Sequence, residues 1–265
     1  MDRSSVWDKE AQHYDEKFHS SLISLLMRKR NIQLFETYFA RKGHLLELGC
    51  GTGDEAIWLA RRGHRITALD ISSEMIETAK RKAQDAGLSE FITFRVLPIE
   101  NLSQIEGNGV FDGFISSFGP LSCVLNLEKV TWELDRLIKP NSYAVISVLN
   151  KICLYELFYY LKKGRLRKTV RRFNYSPVGV KIVDNEPLVP CNFYTKGELI
   201  RKFPGTFSCV ECFTYPIVLP PSFLPISSGT LRRRMDLKLK MERAASEVPF
   251  LRSMGDHLFL VLRKA

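Results

Sequence analysis

The stretch HLLELGCGTGDEAIWLARRGHRITALDISSEM, residues 44–75, has the pattern of a strand, a glycine loop, a helix and a second strand. An apolar run of strand length leads into glycines at alternate positions, Gly49, Gly51 and Gly53. Glycine lets a ligand approach the backbone closely and tolerates the positive φ of a tight turn. The spacing therefore predicts a ligand site in this loop, and the next question is which ligand the loop accepts.

The glycine spacing does not fit a dinucleotide. The dinucleotide fingerprint is Gly-x-Gly-x-x-Gly, with the phosphates at a helix amino terminus, whereas here the third glycine, Gly53, comes one position early. Asp54 and Glu55 follow in the first helical turn, where a diphosphate would meet two like charges. Asp70 ends the second strand and can accept hydrogen bonds from both ribose hydroxyls, which NAD and S-adenosylmethionine share. The loop therefore predicts a nucleoside ligand without a diphosphate, such as S-adenosylmethionine.

Strands and helices alternate between residues 43 and 149, after two amphipathic helices within residues 5–40. This alternation predicts an α/β fold whose parallel sheet is covered on both faces. After Leu149 the order changes to a helix, an antiparallel hairpin with its turn at Asp184–Pro187, a short helix capped by Thr195, and two further strands separated by a basic helix. Because ligands of open parallel sheets bind beyond the carboxyl ends of the strands, we expect this insertion to form a lid beside the site.

The length of 265 residues and the hydrophobic content of 45% predict a single domain with one sizeable core. No apolar run reaches the roughly 20 residues of a membrane span, and the first residues lack the apolar segment of a secretion signal. The six cysteines have no framework spacing, which is typical of a reducing compartment. We therefore expect a cytoplasmic protein.

The net charge of +10 is unevenly distributed along the chain. Residues 1–150 carry 18 Lys and Arg against 20 Asp and Glu, whereas residues 151–265 carry 21 against 9. The excess lies in two tracts, residues 162–172 and residues 232–243. Such tracts are either solvated helix faces or surfaces that attract an acidic partner, such as an anionic substrate or a lipid surface.

Four motifs, LELGCGTG, ALDIS, FDGFISSFGPL and LDRLIKPNSYAVISVLN, resemble the successive motifs of class I S-adenosylmethionine-dependent methyltransferases. The resemblance covers residues 5–150 and points to the small-molecule branch, which includes enzymes of ubiquinone and menaquinone biosynthesis. It implies a Rossmann-like, doubly wound, mostly parallel sheet of seven strands in the order 3-2-1-4-5-7-6. The single domain (1–265) would have four parts: a helical cap (1–42), a cofactor-binding core (43–150), a lid with a helix and a β-hairpin (151–208), and closing strands with a basic helical insertion (209–265).

The resemblance also implies S-adenosylmethionine as cofactor, S-adenosylhomocysteine as product, and a set of contacts to the methionine and ribose parts. Gly49, Cys50 and Gly51 would line the methionine part of the cofactor. Glu47, beneath the loop, would hold the ammonium group directly or through water. Asp70 would hold the ribose.

The adenine contacts implied by the resemblance come from two turns. Ile71 and Met75 would pack near the adenine. The turn LPIEN contributes Ile99 and Glu100, but Pro98 stands where related enzymes have an aspartate that accepts the adenine amino hydrogen. We therefore expect the backbone amide of Ile99 to carry most of the adenine recognition.

Methyl transfer is an in-line displacement at an activated sulfonium methyl, so the main task of the protein is to align the acceptor. The resemblance implies that Ser116 faces the sulfur and that Tyr14 folds over the cofactor. A base is needed only where the acceptor loses a proton. His13, beside Tyr14, is a candidate base or a solvated helix residue, and Tyr194 either lines the acceptor pocket or packs beneath the lid. His257 is expected to make a structural hydrogen bond at a distance from the methyl group, and no metal is required.

Two further patterns do not predict a site. Cys209 and Cys212 lie in an alternating strand, where residues three apart point to opposite faces, so their spacing does not indicate a metal site. The sequence LPPSF, residues 219–223, is similar to a motif of enzymes that methylate nucleic-acid bases. It lacks the polar first residue and follows the sixth strand instead of the fourth.

The leading hypothesis is therefore methyl transfer to an O, N, S or C atom of a small metabolite that is apolar or aromatic or carries an anionic group. A methyltransferase that acts on RNA or protein through the basic tracts is one alternative. A second alternative is an interaction protein that binds S-adenosylmethionine without catalysing transfer. The acceptor and the oligomeric state stay open.

Overall fold

The computed structural model describes residues 3–173, 177–224 and 228–265. Two helices precede the first strand, and strands then alternate with helices as far as the fifth strand. The strands are β1 (His44–Leu48), β2 (Arg65–Asp70), β3 (Ile92–Val96), β4 (Phe111–Ser116), β5 (Ile138–Leu149), β6 (Val178–Val180), β7 (Val189–Cys191), β8 (Phe207–Tyr215) and β9 (His257–Lys264). The α-helices are α1 (Ser4–Ser20), α2 (Leu22–Tyr38), α3 (Asp54–Ala60), α4 (Ser73–Asp85), α5 (Leu127–Leu137), α6 (Leu154–Lys162), α7 (Leu166–Thr169), α8 (Lys196–Ile200), α9 (Ser228–Arg232) and α10 (Met235–Glu247).

Seven strands form one sheet in the order β3-β2-β1-β4-β5-β9-β8. The strands β1 to β5 run parallel to one another, and β9 pairs antiparallel with both β5 and β8. The strands β6 and β7 form a separate antiparallel pair. When the two hairpin strands are left out of the numbering, this order is the predicted 3-2-1-4-5-7-6, and the predicted fold class is confirmed.

The sheet is covered on both faces because its central strands are apolar at successive positions. In β1, Leu46 points into one buried cluster together with Leu134 of α5. The neighbouring Leu45 points into the opposite cluster, together with Phe35 of α2. A strand that is buried on both faces has a nearly continuous apolar sequence. The one charged side chain of this run, Glu47, is buried with the leucines.

The fifth strand follows its preceding helix without a loop. The helix α5 ends at Leu137 and β5 starts at Ile138. The register shifts where β4 pairs with this start, so a bulge takes up Pro140. Proline has no N–H group for a sheet ladder, and a bulge is one of the few places in a sheet that tolerate it.

A second bulge overturns the prediction for the cysteines of β8. The register of β8 against β9 shifts between Cys209 and Glu211. Because the bulge inserts one residue, Cys209 and Cys212 both pack against the same hydrophobic cluster instead of pointing to opposite faces. Both thiols are free.

The amino-terminal helices and the hairpin are held over the carboxyl ends of the parallel strands. In α1, the Asp8 carboxylate accepts a hydrogen bond from the Ser72 hydroxyl at 2.6 Å, just before α4. Near the hairpin, the Asn192 amide donates to the Ser122 carbonyl at 2.7 Å. These contacts place both segments at the edge where ligands of such sheets bind. Among the described helices, none has the length and apolar character needed to cross a bilayer.

Candidate active site

A cavity of about 360 Å³ lies at the carboxyl ends of β1, β2 and β4. The loop after β1 and the end of β2 line it on the sheet side, and side chains of α1, of the segment after β4 and of the hairpin complete the lining. Most of the residues predicted to contact the cofactor line this cavity, namely Tyr14, Gly49, Gly51, Asp70, Ile71, Met75, Ile99 and Glu100.

The glycine loop folds back tightly on the sheet. Gly49, Gly51 and Gly53 have φ values of +70°, +51° and +82°, which lie in the left-handed region that favours glycine. The amides of Gly49 and Cys50 both donate to the Leu69 carbonyl, at 2.8 and 2.9 Å. A Cβ atom at Gly49 would lie 2.3 Å from Cβ of Pro120. The loop therefore forms a cradle that only glycine can line at this position.

Asp70 ties the loop to the second strand. One carboxylate oxygen accepts the Gly51 amide at 2.8 Å, and the other accepts the Ser72 amide at 3.0 Å. Burial raises the pKa of Asp70, and hydrogen bonds from the backbone N–H groups of Ser72, Gly51 and Ile71 oppose that rise. A carboxylate has about four lone-pair positions, so Asp70 keeps capacity to accept a ligand hydroxyl group.

Glu47 is buried beneath the loop with one oxygen unsatisfied. Its Oε2 atom has no hydrogen-bond partner among the described residues. Burial raises the pKa of Glu47 well above its usual range, and the nearby carboxylates of Glu55 and Asp70 raise it further. A buried carboxyl group in this state would be stabilised by a cationic ligand group close to the loop.

The structure corrects the charge argument made for Asp54 and Glu55. Neither carboxylate lines the cavity. Arg28 of α2 pairs with Asp54 at 2.7 Å and with Glu55 at 2.8 Å, and Lys82 of α4 pairs with Asp54 at 2.5 Å. Burial would raise the pKa of Asp54, but these cations outweigh it and hold the pKa below its usual value. The acidic character near the loop therefore comes from Asp70 and Glu47.

Tyr14 of α1 closes the cavity above the glycine loop. Its ring carbon Cε1 lies 3.9 Å from where a Cβ atom of Gly51 would be. Burial raises the pKa of Tyr14, and the carboxylate of Glu55 adds to the rise, so the phenol stays protonated. The ring of Phe18, one turn further along α1, packs edge-on against Phe118 at a centroid distance of 4.9 Å, and both line the same cavity.

Several residues predicted for the site do not line the cavity. Ser116 is fully buried and its hydroxyl donates to the Leu48 carbonyl at 3.0 Å, so it does not face the cavity. Cys50 is buried behind the loop. Tyr194 belongs to the hydrophobic core, in line with packing beneath the lid. The side chain of His13 is exposed on α1 and is not brought to the cavity.

His257 lines the cavity, contrary to the expectation that it lies at a distance. Its Nδ1 atom is 3.0 Å from a carboxylate oxygen of Asp256, and both residues are buried. Because β9 runs antiparallel, its first residue pairs with Leu149, the last residue of β5. The direction of the last strand is the signal that could have placed this histidine at the site.

Asp256 is held by an arginine from the lid. Arg172 is buried and its guanidinium lies 2.5 Å from Asp256 and 2.5 Å from Glu156 of α6. Burial would raise the pKa of Asp256, but the charge of Arg172 and the hydrogen bonds from His257 and Arg172 outweigh it, and the pKa lies well below its usual range. One potential ligand atom each of Cys153, Glu156 and Asp256 lies here within 4.8 Å of the other two. The guanidinium already supplies the positive charge that these two carboxylates require.

Residues 45–141 match the methyltransferase domain family. Among curated proteins, the chain is 30% identical over 160 residues to a ubiquinone/menaquinone biosynthesis C-methyltransferase of Rickettsia felis, covering 56% of this chain and 61% of that protein. It is 30% identical over 139 residues to a demethylmenaquinone methyltransferase of Leptospira interrogans, covering 51% of this chain and 55% of that protein. The alignments thus span 61% or less of these relatives' lengths.

Two solved structures share the fold. A SAM-dependent methyltransferase from Methanosarcina mazei superposes with a TM-score of 0.61 at 18% identity, covering 87% of this chain and 96% of that one. The second is geranyl diphosphate C-methyltransferase from Streptomyces coelicolor A3(2), in complex with Mg2+, geranyl diphosphate and S-adenosyl-L-homocysteine. It superposes with a TM-score of 0.57 at 13% identity, covering 89% of this chain and 78% of that one. Residues 45–141 therefore resemble a methyltransferase domain in sequence, the solved structures share the fold, and the predicted resemblance to class I S-adenosylmethionine-dependent methyltransferases is confirmed.

Proposed function

We propose that the protein is an S-adenosylmethionine-dependent methyltransferase acting on a small amphiphilic acceptor. One arrangement carries the proposal: the Gly49 cradle, the unsatisfied buried carboxyl of Glu47 and the strand-end carboxylate of Asp70 lie at one cavity or directly beneath it. The cradle admits a ligand close to the backbone, Glu47 suits a cation, and Asp70 suits vicinal hydroxyls. A nucleoside that carries sulfonium and ammonium groups meets these three requirements together.

The cofactor would be held by residues of the core and of α1. Glu47 would face the ammonium group from beneath the loop, and Asp70 would accept hydrogen bonds from the ribose. Met75 and Ile99, which line the cavity, would pack against the adenine, and Tyr14 would cover the ligand. When bound, S-adenosylmethionine supplies a methyl group that is already electrophilic, so these residues need only orient it and exclude water.

His257 is the residue best placed to take a proton from the acceptor. A hydrogen bond from Nδ1–H to Asp256 leaves the lone pair on Nε2, and Nε2 lies 4.0 Å from where a Cβ atom of Gly119 would be, on the cavity wall. Arg172 fixes Asp256 and so fixes the orientation of the ring. An acceptor hydroxyl would pass its proton to Nε2 as it attacks the methyl group, whereas an acceptor ammonium would pass its proton to Nε2 first, because only the free amine has a lone pair. The role predicted for His13 then moves to His257.

The acceptor end of the cavity is apolar and aromatic, with few charges. Phe18, Phe118 and Phe223 line it. Lys181 of the hairpin also lines it, and among the described residues its one ion-pair partner is the exposed carboxylate of Asp184. Exposed ion pairs are weak and easily exchanged. This lining suits an acceptor that joins an apolar or aromatic body to an anionic group.

The test is methyl transfer from a radiolabelled donor into a soluble extract and a lipid extract, followed by isolation of the labelled product. We expect a labelled small molecule, with most of the label in the lipid extract. If the protein binds S-adenosylmethionine but labels nothing in either extract, it is a binding protein without transferase activity. Label in RNA or protein instead would replace the small-molecule assignment.

Two histidine variants then test the base. His257→Gln should lower turnover roughly 100-fold or more while leaving the affinity for S-adenosylmethionine unchanged. His13→Gln is the matched control and should leave both quantities unchanged, because its side chain is exposed outside the cavity. Equal turnover in the two variants would remove the role assigned to His257.

A further inference from the structure

One segment of the lid, residues 158–170, exposes both apolar and cationic side chains. The apolar members are Phe158, Leu161, Leu166 and Val170, of which Phe158 is 61% and Leu166 65% exposed. The cationic members, all exposed, are Lys162, Lys163, Arg165, Arg167 and Lys168. We call these nine side chains the basic lid face. An exposed apolar patch of this kind marks an interaction surface.

The cations of the basic lid face differ from those of the core in having no carboxylate partner. Within the described part of the chain, none of the five makes an ion pair, whereas Arg28 and Lys82 of the core each pair with Asp54. The ammonium groups of Lys163 and Lys168 lie over the rings of Tyr159 and Tyr160, at 4.7 and 5.7 Å. The positive charge of this face is therefore available to an anionic partner.

We propose that the basic lid face docks on the surface of an anionic lipid bilayer. Apolar side chains can enter the boundary between headgroups and acyl chains, while long lysine and arginine side chains extend to the lipid phosphates. Nucleic acid would use the cations but would leave aliphatic side chains such as Leu161, Leu166 and Val170 exposed. The mixture of both kinds of side chain in one short segment favours the bilayer.

The same segment continues directly to the cavity. Arg171 and Arg172 follow the basic lid face, and their guanidinium carbons lie 5.1 and 5.8 Å from the ring centre of Phe223. Phe223 lines the cavity and is 45% exposed, so it stands at the mouth. Docking would therefore set the mouth near the lipid surface. It follows, on the basis of the proposed function, that the acceptor is an amphiphile resident in the bilayer.

The test is flotation of the full chain with phosphatidylcholine vesicles that contain or lack phosphatidylglycerol. We expect binding to the phosphatidylglycerol vesicles that weakens as salt is raised, because exposed charges are screened. The triple variant Lys162→Glu/Arg165→Glu/Arg167→Glu should lose ~tenfold or more of this binding. Phe158→Ser/Leu166→Ser should remove the part of the binding that resists salt.

The matched control reverses three exposed charges at the opposite edge of the sheet, Arg41→Glu/Lys42→Glu/Arg65→Glu, at the amino ends of β1 and β2. This control should bind vesicles as the unaltered chain does, apart from a small effect of net charge. Equal loss in the control and in the lid variant would overturn the proposal. Binding to an RNA oligonucleotide with no binding to vesicles would also overturn it.

Calorimetric titration with S-adenosylmethionine separates this proposal from the proposed function. The lid variant should keep the cofactor affinity of the unaltered chain, because its three side chains do not line the cavity. If the protein binds anionic vesicles but does not bind S-adenosylmethionine, only the proposed function is contradicted. A protein that binds cofactor and ignores anionic vesicles would contradict only the docking proposal.

Discussion

The core and the lid use their charged side chains in opposite ways. In the core, cations from α2 and α4 meet carboxylates at the start of α3, so Arg28 and Lys82 stabilise the fold around Asp54. In the lid, Arg172 is buried against carboxylates, while the run from Lys162 to Lys168 faces solvent and has no such partner in the part of the chain that the structure describes. A charged side chain that the topology pairs is structural. A run of cations without such partners indicates a binding surface, and the following predictions sharpen this contrast.

The largest effect is expected at the glycine cradle of the core. Gly49→Ala places a Cβ atom 2.3 Å from Pro120 at a φ of +70°, so the loop must shift. We expect the affinity for S-adenosylmethionine to fall roughly 100-fold or more by calorimetry, because small displacements of binding groups have effects of that order. Gly87→Ala is the control, since it has a φ of +68° but open space around its Cβ position. It should cost about 1–2 kcal/mol of stability and leave affinity unchanged.

The next largest effect concerns the buried arginine of the lid. Arg172→Ala removes the arginine that pairs with buried Asp256 and leaves Glu156 paired with Arg171 alone. Removing one partner of a buried ion pair costs about 3–5 kcal/mol. Urea unfolding would measure this loss of unfolding free energy. The control is Arg62→Ala, whose ion pair with Glu36 at 3.3 Å is about half exposed and should contribute about 0–1 kcal/mol. Similar losses in the two variants would contradict the structural role of Arg172.

The pH dependence of the Arg172 effect has a definite sign. The pKa of Asp256 is depressed in the folded protein, so its stabilising contribution is present above its unfolded pKa of about 3.9. The contribution is lost as pH falls through the depressed folded value. The difference in unfolding free energy between the unaltered chain and Arg172→Ala should therefore shrink on acidification below about pH 4. A constant difference would show that Asp256 does not carry the effect.

A smaller effect is expected in the core, where Glu47 should release a proton when the cofactor binds. The pKa of Glu47 is raised by burial, so part of the population holds a proton above the usual glutamate pKa of about 4.3. A cationic ligand group lowers that pKa, so binding should release a fraction of a proton between the usual and the raised value. Calorimetry in buffers of different ionisation enthalpy measures the release. Glu47→Gln should abolish it, and an unchanged release in that variant would assign the proton to another group.

The smallest effects compare one helix cap from each region. Ser72 accepts the Met75 amide at 3.1 Å and also donates to Asp8 of α1, whereas Thr195 caps α8 through Glu198. Each change to alanine should cost about 1 kcal/mol in urea unfolding. Only Ser72→Ala should also weaken cofactor binding, because it loosens α1 above the cavity. A loss of affinity in Thr195→Ala would show that the two regions are coupled more tightly than this comparison holds.

The sequence predicted the parts of the site that depend on local pattern. The glycine spacing and Asp70 at a strand end follow from the pattern within short windows, whereas the strand order is what the family resemblance implies. The structure agrees on the loop, the strand end and the order. The position of His257 depends on a strand running antiparallel beside β5. Its partner Arg172 comes from a distant lid segment. Pairings across such sequence distances leave no periodic signal, so His13 was preferred on adjacency to Tyr14 alone.

The direction in which individual side chains point was the other source of error in the sequence predictions. A bulge turned Cys209 and Cys212 to one face, and a hydrogen bond to the sheet turned Ser116 away from the cavity. Asp54 and Glu55 stand in the helix turn where they were expected, yet they point to Arg28 instead of to the ligand. Backbone positions follow from the pattern, whereas the direction of a side chain depends on partners that the fold supplies.

The most direct test of the central claim is calorimetric titration of the unaltered chain with S-adenosylmethionine, with S-adenosylhomocysteine and NAD as comparison ligands. The account predicts saturable binding of both sulfur nucleosides at one site and no measurable binding of NAD. Tight binding of NAD, with neither sulfur nucleoside bound, would contradict it.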